Sequence, residues 1–203
     1  MSQAKQQIIR RIRRWGPGTV FTPKDFLDLS SRGNIDVTLG AFLEEGLIRR
    51  IARGVYDLPR FNESLGGQLS PDIDQAAQAI ARRFRWQIIP EGTLAANMLG
   101  LSTQVPAKTI YLSDGPTRSI RIGRQTLYFK HARPKETRIE DRTSAIVIQA
   151  LRYLGQSAID SEAIAQLRQR LSAREKKQLL RDARYSSDWI FSVAQQIAKE
   201  VVS

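Results

Sequence analysis

The sequence predicts an α+β protein, and three observations lead to that class. Apolar residues recur at helical spacing in most of the 203-residue chain. Two pairs of short β-prone runs flank two-residue turns, at Arg53-Gly54 and Gly123-Arg124. Hydrophobic residues make up 41% of the composition, so the chain can bury a sizeable core. We expect an N-terminal helical module with a hairpin and a second unit whose small sheet is covered by helices.

The composition predicts a polyanionic partner. The chain has 32 Lys and Arg against 20 Asp and Glu, a net charge of +12, and 24 of the basic residues are arginine. Arginine binds phosphate and guanine through a planar fork, so nucleic acid is the first expectation, with solubility alone as the alternative. The absence of Cys excludes disulfides, thiolate zinc sites and a Cys nucleophile, and a single His argues against a His-based metal site.

The first sixty residues contain three helical patterns. The first runs from Ser2 to Trp15 and is stopped by two glycines and a proline. The second begins with Thr22 as a cap and runs through Leu29. The third begins near Asn34, a favourable N-cap, and ends at Gly46.

The β-prone runs at 47–52 and 55–58 predict a hairpin after these helices, which is the element order of a winged helix-turn-helix. In that fold the third helix enters the major groove, and the hairpin, or wing, reaches phosphates. Arg32 is the residue suited to a bidentate guanine contact. The predicted DNA-binding residues of this module are Ser31, Arg32, Asn34, Thr38, Arg49, Arg50, Arg53, Arg10 and Arg14.

A protein-docking role remains an alternative for this module. Winged helices also dock proteins, and an arginine-bearing helix face is usually just solvated. Three acidic residues, Asp36, Glu44 and Glu45, would be unfavourable beside phosphate.

The remainder of the chain predicts a linker and a second unit. Residues 63–70 lose periodicity and gain Gly and Ser, so we place an interdomain linker there, between a winged-helix domain at 1–62 and an α+β domain at 71–203. Helical patterns open at Ser70-Pro71-Asp72 and at the capping box beginning with Ser172.

A second basic region lies on the hairpin that surrounds Gly123-Arg124. No acidic residue occurs between Asp114 and Glu136. We expect Arg121, Arg124 and Lys130 to add a second surface that contacts anions such as phosphate. The alternative is a hairpin that is merely solvated.

Motifs for catalysis are absent from the sequence. There is no P-loop and no dinucleotide-binding fingerprint. His131 has no identifiable nucleophile or acid to work with, and Asp72 with Asp74 fits a helix start better than a magnesium site. We therefore expect no enzyme activity, no catalytic residue, no metal and no cofactor, with a magnesium-dependent nuclease as a weaker alternative.

No apolar run approaches the roughly 20 residues that span a bilayer. The first 14 residues lack the apolar core of a secretory signal. We expect no membrane association and a cytoplasmic, nucleoid-associated protein.

Three segments carry a resemblance to a known family. Residues 47–59, around the predicted wing, resemble AbiEi-type antitoxins of bacterial abortive-infection toxin–antitoxin systems. Residues 95–108 and 111–118 resemble the short, uncharacterised branch of that family. The resemblance covers roughly residues 1–155, and the last fifty residues match no pattern of the family.

The resemblance implies a DNA-binding transcriptional autorepressor. In such antitoxins an N-terminal winged helix binds inverted repeats of double-stranded DNA in its own promoter, which implies two copies pairing on DNA. A C-terminal domain counters a nucleotidyltransferase-like toxin without a stable complex. Because this chain is shorter than those antitoxins, a stand-alone regulator without a toxin partner fits the residues equally well.

Overall fold

The computed structural model describes residues 3–133, 139 and 141–199, and in these ranges the fold is α+β. Its helices are α1 (Gln3–Trp15), α2 (Arg32–Glu44), α3 (Ile73–Phe84), α4 (Gly92–Leu99), α5 (Arg142–Leu154), α6 (Ser161–Arg170), α7 (Ala173–Ala183) and α8 (Asp188–Ala198). Its strands are β1 (Val20–Phe21), β2 (Arg49–Ala52), β3 (Val55–Asp57), β4 (Phe61–Asn62), β5 (Gly67–Gln68), β6 (Ile88–Pro90), β7 (Thr109–Ser113), β8 (Arg118–Ile122) and β9 (Gln125–His131). The sheets have the orders β1-β3-β2, β4-β5 and β6-β7-β9-β8.

The chain divides into two compact units, and their boundaries differ from the predicted domains at 1–62 and 71–203. The first unit contains Met1–Trp86 and Arg118–Leu127, and the second contains Gln87–Thr117 and Tyr128–Ser203. The predicted linker at 63–70 instead includes part of the β4-β5 hairpin. The following helix, α3, packs against β1 and β3, which brings it into the first unit rather than the second.

The first unit is built on one apolar core between α1, α2 and the β1-β3-β2 sheet. Strand β3 pairs antiparallel with both β1 and β2. The buried residues of this core are Ile8, Ile12, Phe21, Phe26, Ile35, Leu39, Phe42 and Ile48. Strand β1 was not predicted, because two residues are too few to show an alternating pattern.

The second and third predicted helices differ from the structure in length and start. The second is a 3-10 helix, Pro23–Phe26, in which the Asp25 carboxylate accepts a hydrogen bond from the Thr22 amide at 2.7 Å. Helix α2 is capped by Ser31, whose hydroxyl accepts a hydrogen bond from the backbone amide of Asn34. The predicted N-cap at Asn34 is therefore wrong. The predicted end is confirmed, since Gly46 follows the helix with φ of 68°.

The second unit is held by packing between α4 and the helices that follow it. Its core includes Ala95 and Ala96 of α4 and Leu151 of α5. A Cβ atom on Gly92 would clash with Tyr153, so glycine is required where α4 and α5 approach each other. The predicted capping box is confirmed at the start of α7, where Ser172 and Glu175 bond each other's backbone amides.

The Arg49–Asp57 ion pair fastens the β2-β3 hairpin. The Asp57 side chain is 2% exposed, and its two oxygens accept from Nε and Nη2 of Arg49 at 3.1 and 2.6 Å. The same Nη2 also donates to the carbonyl of Leu69 at 3.1 Å. Arg49 therefore connects both strands of the hairpin to the chain beyond β5.

We expect Asp57→Ala to destabilise the first unit by about 3 kcal/mol, because it leaves the Arg49 charge without its partner. Arg50→Ala, at an exposed neighbour in the same strand, should change stability by less than about 0.5 kcal/mol. Urea denaturation of both variants measures this difference. Equal effects of the two substitutions would contradict the assigned role of the ion pair.

Candidate nucleic-acid interface

The leading end of α2 exposes the residues that sequence analysis assigned to base reading. Arg32 and Asn34 are exposed in the first turn. The Nε atom of Arg32 pairs with the Asp36 carboxylate at 2.9 Å, one helical turn later. The side-chain amide nitrogen Nδ2 of Asn34 donates to the Ser30 hydroxyl at 2.7 Å. Because only Nε of Arg32 is engaged, its terminal nitrogens can still donate to an incoming group.

Thr38 was predicted to contact DNA, and the structure contradicts this. Its exposed fraction is 5%, and it lies on the inner face of α2. Ile35, Leu39 and Phe42, at the spacing of successive helical turns, are buried on the same side. The hydroxyl of Thr38 is therefore inside the unit, away from any groove.

The middle of the outer face of α2 was not among the predicted DNA-binding positions. Val37 is 73% exposed, although valine is apolar. Gly33 is exposed and Gly40 half-buried, and a Cβ atom at either position would meet nothing within 4 Å. Two glycines inside a helix cost about 1 kcal/mol each relative to alanine, and no internal contact requires them. The signal that could have found this face is its helical spacing opposite Ile35 and Leu39.

The β2-β3 hairpin presents two of its three predicted arginines to solvent. Arg50 and Arg53 are exposed. Among the described residues, neither lies within ion-pair distance of a carboxylate. Arg49 differs, since its guanidinium is bound by Asp57 and by Leu69. The structure gives Arg49 a structural task that the prediction did not include.

Helix α1 exposes Arg10 and Arg14 on the side away from the core. With Arg11 and Leu29, these residues line a shallow pocket of about 210 Å³. Arg11 binds both oxygens of Asp28 at 2.7 and 2.6 Å. This hydrogen bonding lowers the pKa of the Asp28 carboxyl and raises the pKa of Arg11. Unlike Arg11, Arg10 and Arg14 form no ion pair with a described carboxylate.

The second basic hairpin is divided between the two units. Arg121 and Arg124 belong to the first unit and are exposed. Nε of Arg121 donates to the carbonyl of Gly123 at 3.2 Å. Lys130 is also exposed, but it belongs to the second unit.

The described residues contain no cluster of three or more His, Asp or Glu side chains that could hold a metal ion. The ring nitrogen Nδ1 of His131 lies 2.9 Å from the carbonyl oxygen of Gly115. No described helix is both long and apolar enough to cross a membrane.

Comparisons with known proteins relate this chain to a solved structure and to a protein family. No curated protein matches the sequence. The crystal structure of the RV2827C protein from Mycobacterium tuberculosis is similar over 98% of this chain and 77% of that chain, with a TM-score of 0.42 and 12% identity. Residues 7–179 match DUF6088, described as a family of unknown function. This chain belongs to the DUF6088 family.

Proposed function

We propose that the protein binds duplex DNA sequence-specifically through a winged helix-turn-helix in its first unit. The order of α1, β1, the 3-10 helix, α2, β2 and β3, with a β1-β3-β2 sheet, is the order of that fold. The observation that carries the proposal is the outer face of α2, where exposed Val37 lies between two glycines that the unit itself does not need. Such a face suits close approach of the helix to the floor of a major groove.

The charges around this face support a duplex as the partner. Arg50 and Arg53 on the hairpin and Arg10 and Arg14 on α1 are exposed. Their guanidinium groups suit phosphate, which dominates the affinity of proteins for DNA. With a net charge of +12, the whole chain is attracted to a polyanion.

Base reading is assigned to three side chains of α2. Val37 offers an apolar contact to the methyl group of thymine, and Arg32 offers two donors to guanine. The side-chain amide of Asn34 can bind adenine if it gives up its hydrogen bond to the Ser30 hydroxyl. The Asp36 carboxylate holds Arg32 in place and disfavours phosphate at the same position.

We further propose that the protein represses its own promoter as an antitoxin-like regulator. This step rests on the resemblance of residues 47–59, 95–108 and 111–118 to AbiEi-type antitoxins. One such module buries little DNA surface, so two copies on an inverted repeat would supply the affinity that a repressor needs. The partner would be a nucleotidyltransferase-like toxin, and a regulator without a toxin is the alternative.

Substituting the exposed hairpin arginines should weaken DNA binding and its salt dependence together. In Arg50→Gln/Arg53→Gln, the slope of log affinity against log salt should fall in magnitude by about 1.8, because each phosphate contact contributes about 0.9. Fluorescence anisotropy with the protein's own upstream DNA measures this slope. Arg174→Gln/Arg181→Gln, at exposed positions of α7, should leave it unchanged. A wild-type affinity that does not depend on salt would refute the proposal.

Adding bulk to the outer face of α2 should separate stability from binding. Gly40→Leu should stabilise the helix by about 0.8 kcal/mol, because leucine favours helices and the site is open. It should nevertheless lower affinity for the upstream DNA at least tenfold, because the side chain would hold α2 away from the groove. Thermal melting and anisotropy on the same preparation test both parts. Unchanged affinity in the stabilised variant would exclude α2 as the groove-binding helix.

Coexpression tests the antitoxin step separately. The reading frame adjacent to this gene should arrest growth when it is expressed alone, and this chain should restore growth. Gly40→Leu should lose promoter repression in a reporter strain while it still restores growth, because the resemblance assigns toxin neutralisation to the C-terminal part. An adjacent product that is harmless alone would leave the stand-alone regulator as the function.

A further inference from the structure

The residue that follows α3, Arg85, has a left-handed backbone conformation that is unusual for a residue with a side chain. Within the described part of the chain, Arg85 is the only residue other than glycine whose φ is positive. Its φ is 59° and its ψ is 37°. Its amide and that of Trp86 donate to the last carbonyls of the helix, as in a glycine-type C-cap. Glycine adopts this conformation more readily, and the Arg85 side chain is exposed without an ion-pair partner among the described residues. Nothing within the fold explains why arginine occupies this position.

Arg83 connects the end of α3 to the turn of the β2-β3 hairpin. Its guanidinium donates to the carbonyl of Arg53. Gly54 leaves room for this guanidinium, because a Cβ atom at position 54 would lie only 2.8 Å from Nη1 of Arg83. Lys24 donates from Nζ to the carbonyl of Arg83 at 2.7 Å. Cationic residues from three elements of the first unit thus meet at one end of α3.

An aromatic pair arranges a further arginine beside them. The rings of Phe84 and Trp86 stack with centroids 4.7 Å apart. The guanidinium carbons of Arg83 and Arg118 lie 5.2 and 5.3 Å from the centre of the Phe84 ring. A guanidinium that contacts a ring face keeps its N–H edge available for an anion.

Five cationic residues lie at or next to this end of α3. We call Lys24, Arg53, Arg83, Arg85 and Arg118 the α3-end cluster. The carboxylate of Asp25, the residue after Lys24, forms an ion pair with Arg82, whose Nε lies 3.5 Å from Oδ1 of Asp25. Within the part of the chain that the structure describes, no carboxylate forms an ion pair with a member of the cluster. Its charge is complementary to a polyanion.

We propose that the α3-end cluster binds backbone phosphates of duplex DNA that flank the base pairs contacted by α2. The inference rests on the proposed function, because Arg53 belongs both to the hairpin and to the cluster. A duplex that contacts the hairpin turn would continue past Arg83 toward Arg85 and Arg118. The cluster would lengthen the footprint without reading sequence.

Arg85→Gly tests this inference without damaging the fold, because glycine is the favoured residue at this φ. The melting temperature should stay the same or rise. On a long duplex of upstream DNA at 0.1 M salt, affinity should fall roughly five- to tenfold, with about 0.9 less salt slope. On a duplex trimmed to the base pairs that α2 protects, the variant should bind like wild type. Arg118→Gln should behave in the same way, and Arg174→Gln should match wild type on both duplexes.

The outcomes distinguish this inference from the proposed function. If Arg85→Gly and Arg118→Gln bind the long duplex like wild type while Arg50→Gln/Arg53→Gln loses affinity, DNA contacts end at the hairpin, the flanking contacts of Arg85 and Arg118 are refuted and the proposed function stands. Equal losses on the long and trimmed duplexes would overturn the flanking position. If the wild-type protein binds neither duplex, both proposals fall.

Discussion

The rotation of α2 about its own axis determines which of its side chains can reach a partner. Ile35, Leu39 and Phe42 are buried in the core of the first unit, so the helix cannot turn without exposing them. Exposing one such side chain costs about 2 kcal/mol, which fixes the orientation firmly. The same packing directs Val37 outward and Thr38 inward. The chemistry that α2 offers to a partner is therefore decided by residues that never touch that partner.

The β2-β3 hairpin shows how neighbouring arginines acquire different tasks. Arg49 and Asp57 are opposite residues of the two strands, and their ion pair holds the hairpin together. Arg50 is the next residue, and its side chain is exposed because successive residues of a strand face opposite sides. A rigid hairpin with free cations loses little entropy on binding. The buried pair thus prepares the exposed arginines for their proposed contacts.

Much of the secondary structure follows from local chemistry, whereas the site depends on packing. Asp72 accepts from the amides of the next turn, as its predicted helix start requires. Thr38 was wrongly placed in the interface because its hydroxyl gives no apolar signal, although its spacing from Ile35 and Phe42 puts it on the buried face of the helix. Residues 63–70 looked like a linker, since composition does not report strand pairing. The role of Arg85 depends on its φ angle, which has no signature in sequence.

Amide chemical shifts recorded during titration with the protein's own upstream duplex test whether α2 enters a groove of DNA. We predict the largest changes at Gly33, Val37 and Gly40 and at the exposed hairpin arginines, Arg50 and Arg53. Amides beneath the buried face of α2 should change much less. Changes confined to the second unit, or none at saturating DNA, would contradict the claim that α2 enters a groove.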